Sequence, residues 1–216
     1  MLANSEQNEA LVGLFRKGTR LRYKKNEFII RPGERLQGVY YINEGLVKAF
    51  DITRYGEENL LIVRKDQEIF PLIWAITGQE RRVIYQALSP CDVWRISRGQ
   101  FLTYLKDPSN PLSPLLDMTI EMYRIHSERI INLEYRSVRE RLISFLITMC
   151  SRFGVETKKS IMINVPLRHQ DIASSINATR ETTGRELAIL VRKGFVTNNQ
   201  LMITIKDLEA LKKLLD

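Results

Sequence analysis

Cys91 and Cys150 are the only cysteines in 216 residues, too few and too far apart for a disulfide framework. With two histidines they make four cysteine or histidine ligands in all, without the spacing of a structural zinc site. An iron–sulfur cluster, which needs about four thiolates, is excluded by the same shortage. Haem sensing would need an axial ligand, and His126 and His169 are poorly placed for one, within helical segments read below. Long apolar runs are also missing. The longest stretch free of charged residues, Gly194 to Ile205, has 12 residues, against the roughly 20 a membrane-spanning helix requires. The first residues lack the basic, apolar and small-residue succession of a secretory signal. Neither a Ser-His-Asp set, nor paired acids at catalytic spacing, nor a phosphate-cradling glycine loop occurs. These absences lead us to expect a cytoplasmic protein with no metal, cofactor, membrane partner or enzymatic activity.

What is present is a foldable, basic chain. Apolar residues make up 44%, enough for packed cores, and 216 residues suit two domains of about 100. The net charge is +8, a balance suited to a polyanionic partner and equally found on solvated surfaces. Residues 137–216 carry 13 Lys and Arg against 8 Asp and Glu, and so most of that excess.

The most informative stretch is LRHQDIASSINATRETTGRELAILVRKGFV, residues 167–196. An apolar-spaced segment from Leu167 to Ile176 meets a break at Asn177-Ala178, and a longer helical pattern opens at Thr179. This is the layout of a helix-turn-helix, whose second helix enters the DNA major groove. Asn177 tolerates a left-handed backbone. Ala173 is small where the helices would approach, Ile172, Ile176, Leu187 and Leu190 would seal them together, and Thr179 can cap the second helix. Arg180, Glu181 and Arg185 then share an outward arc where base contacts are made, while Arg168, His169 and Thr179 are placed for the DNA backbone. The alternative is a helical hairpin with a charged outer face. A hairpin pattern follows, with a strand over 194–197, a turn at Asn198-Asn199-Gln200 and a strand over 201–205, which makes the winged variant.

Upstream, from about Thr19 to Arg98, short β-rich runs alternate with Gly, Pro and Asn. They cover 27–30, 39–42, 46–50, 60–63, 83–87 and 92–96, and suggest a closed or folded-over β-domain. After Pro108-Ser109-Asn110-Pro111 a long helix runs to about Tyr135. Leu112, Leu116, Thr119, Tyr123, His126, Ile130 and Leu133 recur on it at steps of 4-3-4-3-4-3, the spacing of a coiled-coil seam. Because Met118, Met122 and Ile125 form a second stripe that also needs burial, the seam is expected to meet a second copy. Packing against its own β-domain alone is the other reading. Val138 to Phe153 reads as a helix leading through a polar loop into the helix-turn-helix. The expected class is α+β, with a β-rich sensor domain over 1–110, a dimerisation helix over 111–136 and a winged helix-turn-helix over 137–216.

The run Arg180-Glu181-Thr182-Thr183-Gly184-Arg185 resembles the recognition helix of the Crp-Fnr transcription regulators, whose pattern is R-E-x-x-G/S-R. Similarity extends from about Leu21 to Ile205. It takes in Pro32-Gly33-Glu34, the run from Tyr40 to Gly45, Gly78-Gln79-Glu80-Arg81, the run from Ser127 to Leu133 on the dimer helix and the run from Arg141 to Leu146. Cys150, Phe153 and Gly154 are especially like the nitrogen-control branch. Individually weak, these motifs are specific in this order and spacing. The resemblance implies a cyclic-nucleotide-type β-roll, a homodimer on a palindromic operator with G-A steps in its half-sites, and RNA polymerase as a further partner. Thr183 and Glu186 depart from it, standing where relatives keep apolar residues, so looser or wetter packing is expected under the recognition helix.

Cyclic AMP is not the implied effector. Where binders of it use Gly-Glu for the ribose this chain has Phe70-Pro71. Arg82 replaces the serine after Arg81, and His126-Ser127 keeps half of the adenine-reading pair. Arg81 and Arg82 suit another small anion. The nitrogen-control relatives sense 2-oxoglutarate, although Met122 and Ser127 occupy the places of their dimer-helix Arg and Glu. Pairing of Arg81 and Arg82 with surface acids such as Glu80, or a β-domain without ligand, are the alternatives. A sensor or adaptor whose winged helix docks a protein partner is the other functional reading; the Arg180/Glu181/Arg185 arc argues against it.

Overall fold

A computed structural model describes residues 2–157, 160–199 and 201–215. The chain packs as two compact units, Met1–Asp51 with Leu61–Tyr123, and Ile52–Leu60 with Arg124–Asp216.

The first unit opens with helix α1 (Ser5–Arg16), an addition to the expected elements, started by a reciprocal capping box between Asn4 and Gln7. Strands β1 (Thr19–Tyr23), β2 (Phe28–Ile30), β3 (Val39–Glu44), β4 (Val47–Ile52), β5 (Glu58–Arg64) and β6 (Ile69–Phe70) follow, then helix α2 (Leu72–Thr77), β7 (Ile84–Ala87), β8 (Cys91–Ile96) and α3 (Arg98–Lys106). They form two four-stranded sheets of order β1-β8-β3-β6 and β2-β7-β4-β5. The six expected strands all appear, as β2, β3, β4, β5, β7 and β8; β1, β6, α2 and α3 are additions.

Burial explains why the first four residues of β3, Val39 to Ile42, are apolar and do not alternate. Val39 and Tyr41 join Leu11, Phe15, Ile69, Ile96 and Phe101 in a cluster fed by α1 and α3. Tyr40, from the other face of β3, stacks on Phe70 with centroids 5.2 Å apart, and Phe70 stacks on Tyr85 of β7 at 4.6 Å. This aromatic ladder joins the two sheets. Burial pushes the Tyr85 hydroxyl pKa up from its usual value.

Helix α4 (Ser113–Tyr135) has 23 residues, close to the expected length, with Leu112 just before it. Its Met118, Met122 and Ile125 stripe is half-buried. The Met118 sulfur lies 3.3 Å from the Ile69 amide and that of Met122 3.7 Å from Arg64 Nη1. The seven seam residues are all exposed in the single chain, Tyr123 by 74% and Ile130 by 58%.

The second unit continues through α5 (Val138–Phe153), bounded as expected and opened by a Ser137–Glu140 capping box. The polar loop expected after it is instead two short strands, β9 (Gly154–Glu156) and β10 (Ile161–Ile163). They pair with each other and extend the sheet β11-β12-β10-β9. Each has only three residues, too few to show a period. Helices α6 (His169–Ser175) and α7 (Arg180–Arg192), the hairpin β11 (Val196–Asn199) and β12 (Met202–Ile205), and α8 (Leu208–Lys212) complete the fold. No helix among the described residues is long and apolar enough to cross a membrane.

Candidate nucleic-acid interface

The α6–α7 pair is assembled from local signals. Ile176 ends α6, and Asn177 takes a left-handed φ of 49°, which reverses the chain. The Ala178 amide then donates to the Ala173 carbonyl at 3.0 Å. Thr179 caps α7, its Oγ1 accepting from the Thr182 amide at 3.1 Å. Ile172, Ala173, Ile176, Leu187 and Leu190 are all buried, as their spacing predicts. With the inner face fixed, Arg180, Glu181 and Arg185 stand exposed on the outer face of the first two turns. The Arg185 side chain is 70% exposed.

The two residues that break the apolar pattern behave differently from each other. Glu186 bridges to Arg139 of α5, whose Nε donates to Oε2 at 2.7 Å, and its Oε1 is 4.0 Å from Arg185 Nε. Polar docking, not loose packing, thus joins α7 to α5 at this point. Thr183 is fully buried and its Oγ1 has no hydrogen-bond partner among the described residues. Removing an unsatisfied buried hydroxyl without changing shape is favourable. Thr183→Val is therefore expected to raise unfolding stability by about 1 kcal/mol, read as a higher urea midpoint at unchanged m-value.

The residues assigned to the DNA backbone flank this face. Thr179 is exposed at the start of α7. His169 lies beneath α7, where a Cβ on Gly184 would rest 3.6 Å from its Nδ1, while its Nε2 is 3.2 Å from Asn198 Nδ2 on the wing. Asn198 and Asn199, expected in the wing turn, instead continue β11 and pair with Ile203 and Met202. Leu201 stands in a turn, and Gln200, also expected there, lies outside the described residues. Asparagine sits here on the sheet's edge strand, where the ladder is satisfied on one side only. Arg168 N-caps α6 and grips Asp171 with two bonds, Nε to Oδ2 at 3.0 Å and Nη2 to Oδ1 at 2.8 Å. The same Nη2 reaches Glu58 Oε2 at 3.0 Å. Asp171 first, then Glu58, raises the pKa of the Arg168 guanidinium above its ordinary value.

Residues 140–214 match the model of the Crp-like helix-turn-helix domain, and residues 20–107 that of the cyclic nucleotide-binding domain. A global nitrogen regulator from Nostoc sp. is 30% identical over 187 residues, 85% of this chain and 83% of that one. The chain belongs to the Crp-Fnr family of transcription regulators. The global nitrogen regulator of Synechocystis sp. is 28% identical over 217 residues, 96% of each chain. The cAMP-activated global transcriptional regulator CRP of Salmonella typhimurium is 24% identical over 185 residues, 85% of this chain and 88% of its own. Among solved structures, a CooA variant from Carboxydothermus hydrogenoformans shares the fold at a TM-score of 0.79 and 20% identity, over 100% of this chain and 98% of that one.

Within this Crp-Fnr chain the candidate effector residues divide between the units. Arg81 and Arg82 belong to the first, His126 and Ser127 to the second. Both arginines are exposed on the segment between α2 and β7, and neither makes an ion pair with Glu80 or any other acid among the described residues. Phe70 is fully buried in the aromatic ladder. The polar contacts of Arg139, Asn198, Glu58 and Arg129 join residues far apart in the chain and leave no pattern in the sequence. Only the Arg168–Asp171 pair has a local signal, its i,i+3 spacing.

Proposed function

We propose that this Crp-Fnr regulator binds a two-fold symmetric operator as a homodimer. One observation carries the reading: Arg180, Glu181 and Arg185 are exposed together on the leading turns of a helix whose opposite face is fixed in the core. Each arginine fork suits guanine O6 and N7, and the carboxylate suits a cytosine amino group. Arg168, His169 and Thr179 serve the phosphates. The exposed 4-3 seam on α4 supports pairing with a second copy. Two recognition helices so paired would enter major grooves about 34 Å apart.

A small anion held by Arg81 and Arg82 is the effector class the residues favour, with 2-oxoglutarate the first to try and cyclic AMP disfavoured. Phe70-Pro71 stand where the nucleotide binders place their sugar-binding Gly-Glu pair; Phe70 is buried and Pro71 offers no acceptor for a ribose hydroxyl. RNA polymerase is the further partner that the family implies. Catalysis has no place in this reading.

Selection of duplexes from a random pool by the purified protein tests it. The expected result is a palindrome with half-sites one helical turn apart, bound with a steep salt dependence. Sequence-blind binding, with and without 2-oxoglutarate, would count against base reading and favour a winged helix that docks a protein.

A further inference from the structure

The hairpin tip between β4 and β5, residues 52–60, packs with the winged helix-turn-helix unit although both its strands continue into one sheet of the β-roll. Its turn is ordered from within. The Gly56 amide donates to the Thr53 carbonyl and the Thr53 amide to the Glu57 carbonyl, both at 2.9 Å, while Thr53 Oγ1 accepts from the Tyr55 and Glu57 amides. Two fastenings hold the tip to α6. The Leu60 amide donates to Ser174 Oγ at 3.1 Å. Arg129 of α4 donates to the carbonyls of Leu60 at 3.0 Å and Ser174 at 3.2 Å, and to Asn59 Oδ1 at 3.4 Å. These bonds place Glu58 against Arg168.

The two carboxylates on Arg168 are not equivalent. Asp171 has a side chain only 5% exposed, is bound through two guanidinium nitrogens and also accepts from the Arg168 amide at 2.9 Å. It is a permanent partner. Glu58 is 37% exposed, meets a guanidinium that is 53% exposed, and binds through a single nitrogen. An ion pair that open to water is weak and easily exchanged. A carboxylate and a phosphate offer a guanidinium the same oxyanion edge.

Resting on the DNA-binding reading above, we propose that Glu58 is an internal competitor of the DNA backbone. It holds the exchangeable side of Arg168 until a phosphate takes its place, and its negative charge opposes that phosphate's approach. The hairpin tip is then an autoinhibitory contact, supplied by two strands of the β-roll to the phosphate-contacting end of α6.

The test uses the full chain and a random-sequence duplex of about 30 base pairs, since a phosphate contact ignores sequence. Fluorescence anisotropy over a salt series compares the unaltered protein with Glu58→Gln, Glu58→Ala, Arg168→Ala and Glu58→Ala/Arg168→Ala. Both Glu58 variants are expected to bind about two- to fivefold more tightly. Their log K against log salt should steepen by about one. Arg168→Ala should bind more weakly and gain nothing from the second substitution. Unchanged or weaker binding by the Glu58 variants overturns the proposal, and so does an equal gain without Arg168, which would mark a general charge effect. If the unaltered protein binds no duplex at any salt concentration, the DNA-binding reading itself fails. Duplex binding indifferent to Glu58 removes only the competitor.

Discussion

Ile130→Glu is expected to leave a folded monomer whose affinity for a two-half-site operator is lower by about 100-fold or more. Ile130 is 58% exposed on α4, in line with exposed Tyr123 and Leu133, so the substitution disturbs no core of the single chain. In a paired helix the same position is enclosed, and a carboxylate there would lose its water without gaining a partner. Each subunit alone would keep its contacts to one half-site. What it would lose is the second half-site, held at millimolar effective concentration by the first. Sedimentation velocity reads the mass and anisotropy the affinity. Ile130→Leu should preserve both. A wild-type protein that sediments as a monomer, or a charged variant that remains a dimer, would rule out this seam as the interface.

The second large effect concerns base reading. Arg180→Ala, Glu181→Ala and Arg185→Ala should each cost about 1–3 kcal/mol at one base position, a factor of roughly 5–150 in affinity. Because all three side chains are exposed, thermal stability should barely move. The informative measurement is the difference between the selected operator and single-base variants of it. A base-reading arginine loses its preference at one position and leaves the others intact. A uniform loss over all sequences, together with a shallower salt slope, would make that residue a phosphate contact.

The parts of this fold that the sequence made legible are those whose signals are local. The 177–178 break, the Thr179 cap and the Ser137–Glu140 box lie within a few residues of the geometry they produce. Helix α4 was legible because a long helix repeats its signal. Strands β6, β9 and β10, of two or three residues, carry too little pattern to separate from loop. Two asparagines that look like a turn became strand because register with β12 governed them, and local preference did not. Around the candidate site the outward arc and the apolar contacts could be read. The polar ties could not, because Glu186 to Arg139 spans 47 residues and Arg168 to Glu58 spans 110. Either arginine alone reads as one more solvated cation. That Thr183 is dry also depends on what α7 packs against.

Helix α7 divides its labour cleanly. Thr183, Leu187 and Leu190 are buried and moor it, while Arg180, Glu181 and Arg185 are exposed. For the lineage carrying this gene, the two sets answer to separate selection pressures. Outward residues can be exchanged with little change in folding free energy, so under the proposed base reading operator preference is free to drift while the scaffold is kept. The mooring residues lack that liberty, since most changes there would be lost as misfolded protein before any new target could be tried.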